Sequence, residues 1–154
     1  ADIVGSVADL RNRYAPHAKI AILSNSMSLK DPNICRALSR LDLRIMKLDC
    51  GSEETFKRYN QPCPGVELEE ITAGLACLND VTIQTLVTSG EAGNFEPENI
   101  IAWIERLKRI KPSAIQLYTL DRAYPAIDLK PATEDELKRI KAQVEKVGLS
   151  IYIY

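Results

Sequence analysis

The residues of this chain best equipped for chemistry stand at the ends of short apolar runs. Ile22-Leu23 leads into Ser24-Asn25-Ser26, hydroxyl and amide groups able to hold a carboxylate or an amine, or to form an ordinary turn and helix cap. In Arg44-Ile45-Met46-Lys47-Leu48-Asp49, two-residue periodicity puts Lys47 and Asp49 on one face and Met46 and Leu48 on the other. Opposite charges on an inward strand face are costly unless they pair or meet a ligand, so the choice lies between a structural ion pair and a binding site; we favour the site. Gln84 carries a long amide among Thr82, Ile83, Thr85 and Leu86, and Gln116 alternates with Ile115 and Leu117. Either amide can also serve only to satisfy neighbouring backbone groups. Tyr118, Thr119, Asp121 and Arg122 crowd the end of the same run, where the Arg122 guanidinium can fork onto a carboxylate or phosphate, or brace its loop.

These positions gain meaning from the elements that must present them. Five runs rich in β-branched and apolar residues read as buried strands: Lys19–Ser24, Arg44–Asp49, Val81–Thr88, Ala114–Tyr118 and Leu149–Tyr154. Helical stretches alternate with them. One begins near Gly5 and ends before Pro16. Asp31-Pro32 caps a second, to Leu41, and Ser52-Glu53-Glu54 opens a short third, to Tyr59. Glu67–Leu78 and Pro97–Ile110 carry apolar residues at helical spacing, and Thr133-Glu134-Asp135-Glu136 is a capping box for a helix ending near Val147. Strands separated by helices require long crossovers, hence a parallel sheet and an α/β fold. In such sheets ligands sit beyond the carboxyl ends of the strands, which is where the polar residues gather.

Composition narrows the function further. The 154 residues suit a single domain, 1–154, and fall short of the roughly 250 of a complete eight-unit barrel. With 20 basic and 21 acidic residues there is no positive field to attract nucleic acid, and no apolar run approaches the roughly 20 residues of a membrane span. Cys35, Cys50, Cys63 and Cys77 lie about 13 to 15 residues apart, without the close pairs of a metal or redox motif, and no signal peptide opens the chain. Reduced thiols in a cytoplasmic protein are expected. His17, the only histidine, precedes the first strand at its far end, and Trp103 reads as core.

The order Leu23-Ser24-Asn25-Ser26, Lys47-Leu48-Asp49, Glu53-Glu54-Thr55-Phe56, Asn60-Gln61-Pro62, Gln84-Thr85-Leu86-Val87, Trp103-Ile104, Ile110-Lys111-Pro112 and Gln116-Leu117-Tyr118-Thr119-Leu120-Asp121-Arg122 resembles the later half of a radical S-adenosylmethionine protein, in the branch described as iron–sulfur oxidoreductases. The resemblance runs from about residue 18 to the end. It implies a parallel-stranded partial (β/α) barrel, a [4Fe–4S] cluster, and S-adenosylmethionine cleaved to a 5′-deoxyadenosyl radical that abstracts hydrogen from a substrate. It implies also that Ser24 and Asn25 meet the amino-acid or ribose part of the cofactor, that Asp49 accepts from ribose hydroxyls, and that Lys47, Gln84, Gln116 and Arg122 face cofactor or substrate.

One family signature is missing. The cluster is carried on Cys-x₃-Cys-x₂-Cys, which none of the four cysteines forms, and three thiolates must converge from one short loop to hold three irons. The expectation is therefore the C-terminal part of a longer enzyme, with neither cofactor bound stably to this chain alone. Its expected partners are the missing N-terminal barrel strands, or a second copy through the exposed sheet edge. Two other readings stand beside this one: an aldolase-like barrel segment with a Schiff base on Lys47, and a non-catalytic α/β interaction domain.

Overall fold

A computed structural model describes residues 2–121 and 128–154. Its thirteen elements, in chain order, are α1 (Ile3–Tyr14), β1 (Ala21–Ser24), α2 (Pro32–Leu38), β2 (Leu43–Lys47), α3 (Glu53–Asn60), α4 (Leu68–Ala76), β3 (Val81–Leu86), β4 (Thr88–Ser89), α5 (Pro97–Ile110), β5 (Ala114–Tyr118), β6 (Lys130–Pro131), α6 (Glu134–Lys146) and β7 (Ile151–Ile153). All five expected strands are present, and all six expected helices.

The five strands form one parallel sheet in the order β1-β2-β3-β5-β7. Each strand pairs with the next long strand in the chain, the winding of a (β/α) barrel rather than of a doubly wound sheet, in which the order reverses at a switch point. Helices cover only one face. Met46, Ile83, Ile115, Leu117 and Ile151 point into them and are almost fully buried, against Leu75, Trp103, Leu107, Ile140 and Val144. The alternate residues lie on a barer face, where Leu23 of the edge strand β1 is 66% exposed and Tyr152 of β7 is 53% exposed. The other residues of this face are only partly buried, apart from buried Asp49 just past β2, and the face corresponds to the inner wall of a barrel.

Local chemistry explains the boundaries. Asp31 accepts from Asn33 N at 2.8 Å to start α2, and Ser52 accepts from Thr55 N at 3.1 Å to start α3. Thr133 and Glu136 form the reciprocal capping box expected for α6. At the other end of α5, Lys111 takes a left-handed conformation, its N–H returning to Leu107 O at 2.8 Å. The run expected to continue to Thr88 instead breaks after Leu86: Thr88–Ser89 leave the sheet and pair antiparallel with Lys130–Pro131. Gly90, at φ +99°, permits that turn, since a β-carbon there would stand 2.4 Å from Asp128 O.

Candidate active site at the carboxyl ends of the strands

Register brings the predicted residues into rows across the bare face. Lys47 aligns with Gln84, Gln84 with Gln116, and Gln116 with Tyr152. The two amides touch, Gln84 Nε2 donating to Gln116 Oε1 at 3.1 Å. One row further on, Leu86 aligns with Tyr118, and Tyr118 leans back so that Lys47 Nζ donates to its hydroxyl at 2.9 Å. The ammonium also lies 5.4 Å from the Tyr118 ring centroid, a cation–π distance.

Asp49 is the centre of the arrangement. Its side chain is only 4% exposed, and its carboxylate accepts from Leu86 N at 2.9 Å and Asn60 Nδ2 at 3.0 Å while lying 3.3 Å from Lys47 Nζ. Burial alone would pull the Lys47 amine downward, but the Asp49 charge and the Tyr118 hydroxyl outweigh it, and the ammonium is held above its ordinary range. A Schiff-base nucleophile needs the opposite, a lysine that sheds its proton near neutrality, so the geometry speaks against the aldolase reading.

Behind these groups stands a shell of asparagines that orders the strand ends. Asn94, 1% exposed, donates to Asp49 O at 2.7 Å and Leu86 O at 2.8 Å, and accepts from Thr88 N at 2.9 Å. Asn99 donates to Asn94 O at 2.7 Å and accepts from the Gly51 and Ser52 amides. Cys50 donates to Asn60 Oδ1 at 3.2 Å, which turns the Asn60 amide nitrogen toward Asp49. Burial pushes the Cys50 thiol far upward, so it acts as a donor and not as a thiolate. Trp103 Nε1 and Thr85 Oγ1 both donate to Leu48 O, fixing the backbone beside Asp49.

Ser24 and Asn25 sit at the end of β1 as expected, engaged in a local turn: Ser24 Oγ accepts from Ser26 N at 3.1 Å, and Asn25 Oδ1 from Met27 N at 3.2 Å. Buried Ser26, at φ +67°, donates to Lys47 O at 2.8 Å and so ties β1 to β2. Asn25 reaches the Asp49 side, where with Lys47 and Asn60 it lines a pocket of about 50 Å³. A second, wider cavity of about 570 Å³ lies beyond Tyr118, lined by Gln84, Gln116, Thr119, Asp121 and Tyr154. The structure thus gathers Asn25, Lys47 and Asp49 on one side of Tyr118, and Gln84 and Gln116 on the other. Arg122 lies outside the described residues. Sequence reasoning missed Asn60, Asn94 and Asn99; the one available signal was the Asn60-Gln61-Pro62 stop after α3.

The arrangement is suited to binding hydroxyl donors at Asp49 and to holding a positive charge on Lys47. It is unsuited to an iron–sulfur cluster. Among the described residues no three His, Cys, Asp or Glu side chains converge as metal ligands, Cys50 is fully buried against Asn60, and Cys35 lies on α2.

No family model matches the sequence. A curated relative, UPF0026 protein slr1464 of Synechocystis sp. (strain ATCC 27184 / PCC 6803 / Kazusa), is 30% identical over 109 residues, 68% of this chain and 40% of that protein. The chain therefore spans well under half the length of the curated relative it matches. Two solved structures share its fold. A domain of pyruvate-formate lyase-activating enzyme from Bacteroides vulgatus ATCC 8482 superposes with a TM-score of 0.74 at 15% identity, covering 98% of this chain and 91% of that one. A radical SAM methyltransferase from Sphaerobacter thermophilus superposes with a TM-score of 0.62 at 14% identity, covering 85% and 39% of the two chains. The fold expected from the resemblance, a parallel-stranded partial (β/α) barrel, is the fold of this chain and is shared with these two structures.

Proposed function

We propose that this chain supplies S-adenosylmethionine and substrate contacts to a radical S-adenosylmethionine iron–sulfur enzyme, as the C-terminal part of its barrel. The observation that carries the reading is the Asp49 carboxylate, buried at a strand end on the uncovered face of a one-sided sheet and held by Leu86 N, Asn60 and Lys47. A carboxylate so held presents its remaining acceptor capacity in a fixed direction. The pocket beside it admits a few water-sized groups, enough for a pair of hydroxyls.

In this reading Asp49 accepts from the ribose hydroxyls and Asn25, with Ser24, meets the amino-acid or ribose portion. Lys47 neutralises Asp49 and stays protonated, and Tyr118 divides this pocket from the wider one, where Gln84 and Gln116 offer amide groups to substrate. When bound to its cluster, S-adenosylmethionine supplies hydrogen-abstraction chemistry; the residues here bind, orient and hold charge. The described residues do not fit the cluster, so the ligating cysteines belong to barrel strands outside this sequence. Those strands cover the edge of β1 and the bare face, including Leu23 and Tyr152, and in their absence a second copy does so.

Two-dimensional amide NMR during titration with S-adenosylmethionine tests the site without requiring tight binding. Shifts should centre on Asn25, Asp49 and Asn60 and vanish in Asp49→Asn, with Gln143→Ala on the outer face of α6 as a control that keeps them. Shifts that persist in Asp49→Asn, or none at millimolar ligand, would overturn the assignment. Anaerobic reconstitution should leave the chain without stoichiometric iron and sulfide; a brown, sulfide-bearing product would show that it carries its own cluster.

A further inference from the structure

Three of the four thiols have no part in this site, and two of these share a groove. Cys35, half-buried in α2, and Cys77, exposed at the end of α4, line one apolar groove of about 530 Å³ on the helical side of the molecule, with Leu29, Pro32, Ala73 and Gly74. A glycine brings α4 against the loop that leads into α2. A β-carbon at Gly74 would stand 2.4 Å from Leu29 Cβ and 3.0 Å from Leu29 O, so only a residue without a side chain lets α4 approach this closely. Leu29 O is also the acceptor of the Cys35 thiol, at 3.2 Å. Leu29 therefore packs against Gly74 and holds the Cys35 thiol through its carbonyl oxygen. Cys77 follows Gly74 by three residues, one turn along the same face, and the Lys30–Glu70 ion pair at 3.6 Å closes the groove on the opposite side of Gly74.

We infer that Cys35 and Cys77 form a redox dithiol that closes to a disulfide between α2 and α4 when the protein meets a hydroperoxide. Exposed Cys77 is the sulfur oxidised first: its thiolate attacks the peroxide, the O–O bond breaks, and a sulfenic acid and one water result. Cys35 then attacks the Cys77 sulfur, expelling the sulfenic oxygen as a second water and leaving an S–S bond. In sum, two thiols and one hydroperoxide give one disulfide and two waters or, for an organic peroxide, an alcohol and one water. Burial raises the Cys35 thiol, so it stays protonated and is not the sulfur that meets the peroxide first. The bond would bolt together the helix that follows β1 and the helix that precedes β3, the outer supports of the strands carrying Ser24 and Lys47.

The experiment is hydrogen peroxide treatment of the chain followed by non-reducing peptide mapping and mass spectrometry. The expected result is a peptide pair joined through Cys35 and Cys77, lighter by two hydrogen atoms and separated by a dithiol reductant. Cys35→Ser and Cys77→Ser should each abolish it, while Cys63→Ser leaves it intact. The reduced chain should also bind a monosubstituted trivalent arsenical one to one, with both thiols shielded from alkylation, which probes their spacing without oxidation. Oxidation of Cys77 onward to sulfinic acid with Cys35 untouched, or a link from Cys77 to Cys63, would overturn the proposal, as would an arsenical that shields neither thiol.

Discussion

Replacement of Asn94 by alanine gives the most direct measure of how the site is held. The Asn94 side chain makes three hydrogen bonds, to Asp49 O at 2.7 Å, to Leu86 O at 2.8 Å and from Thr88 N at 2.9 Å, at a position where Asn94 is 1% and Thr88 0% exposed. Each such bond is worth about 1 kcal/mol net, and stranding the Thr88 N–H in a dry site adds a desolvation cost of about 1–3 kcal/mol. The sum is a loss of about 4–6 kcal/mol, read as a lower urea midpoint at unchanged slope. For a domain of this size it amounts to a fall in melting temperature of roughly 10 °C or more. Asn94→Asp is the sharper comparison, because it keeps the acceptor for Thr88 yet turns a carboxylate oxygen toward two carbonyls; it should destabilise no less than alanine. A loss below about 1 kcal/mol for Asn94→Ala would refute the claim that this side chain, and not the β2–β3 ladder alone, fixes the strand ends.

Three other perturbations have definite signs. Hydrogen bonding to Arg109, with Arg106 adding to it, holds the Glu69 carboxyl down to about 2, so its stabilisation is present above the ordinary glutamate value of 4.5 and is lost as pH falls toward 2. Glu69→Gln should therefore flatten acid unfolding within that window, by an amount that shrinks in high salt because the pair is largely exposed. For Lys47 the sign is reversed: with its folded value raised above 10.5, its contribution is full below pH 10.5 and is lost as pH rises from there through the folded value, so Lys47→Met should cost most below pH 10.5 and converge with the parent in strong alkali. Gly51→Ala would place a β-carbon 1.9 Å from Trp103 N and 2.4 Å from Asn99 O, both backbone atoms, and should lose stability at or beyond the upper end of the ~1–3 kcal/mol typical of overpacking, seen as a lower denaturant midpoint.

How far the fold was legible in the sequence follows from which forces act locally. Period-two alternation in Arg44–Asp49 correctly put Lys47 and Asp49 on one face, because side-chain direction in a strand is a covalent property. Pro97–Ile110 was matched residue for residue, since a proline start and apolar residues at helical spacing through Ile110 are both local to the helix. The β4–β6 pair was not foreseen: each partner is two residues long and neither contains enough pattern to announce a strand. Asn94 and Asn99 were missed for a related reason. Their role is to satisfy backbone groups brought from Asp49, Leu86 and Gly51, and such encounters exist only after the chain has folded. The contact of Lys47 with Tyr118 likewise joins residues of two strands separated by β3, and one-dimensional spacing carries no trace of it.

The sequential order of the sheet also bears on how the chain is made. Because every strand lies beside the next one along the chain, a polypeptide emerging from the ribosome finds the partner for each new strand already synthesised. β2 can dock on β1 once residue 47 is free, and β3, β5 and β7 then add in turn at one growing edge. Only β4 waits, for β6, so the five-stranded sheet of an unfinished chain is at each stage a shorter version of itself, growing at the edge opposite β1.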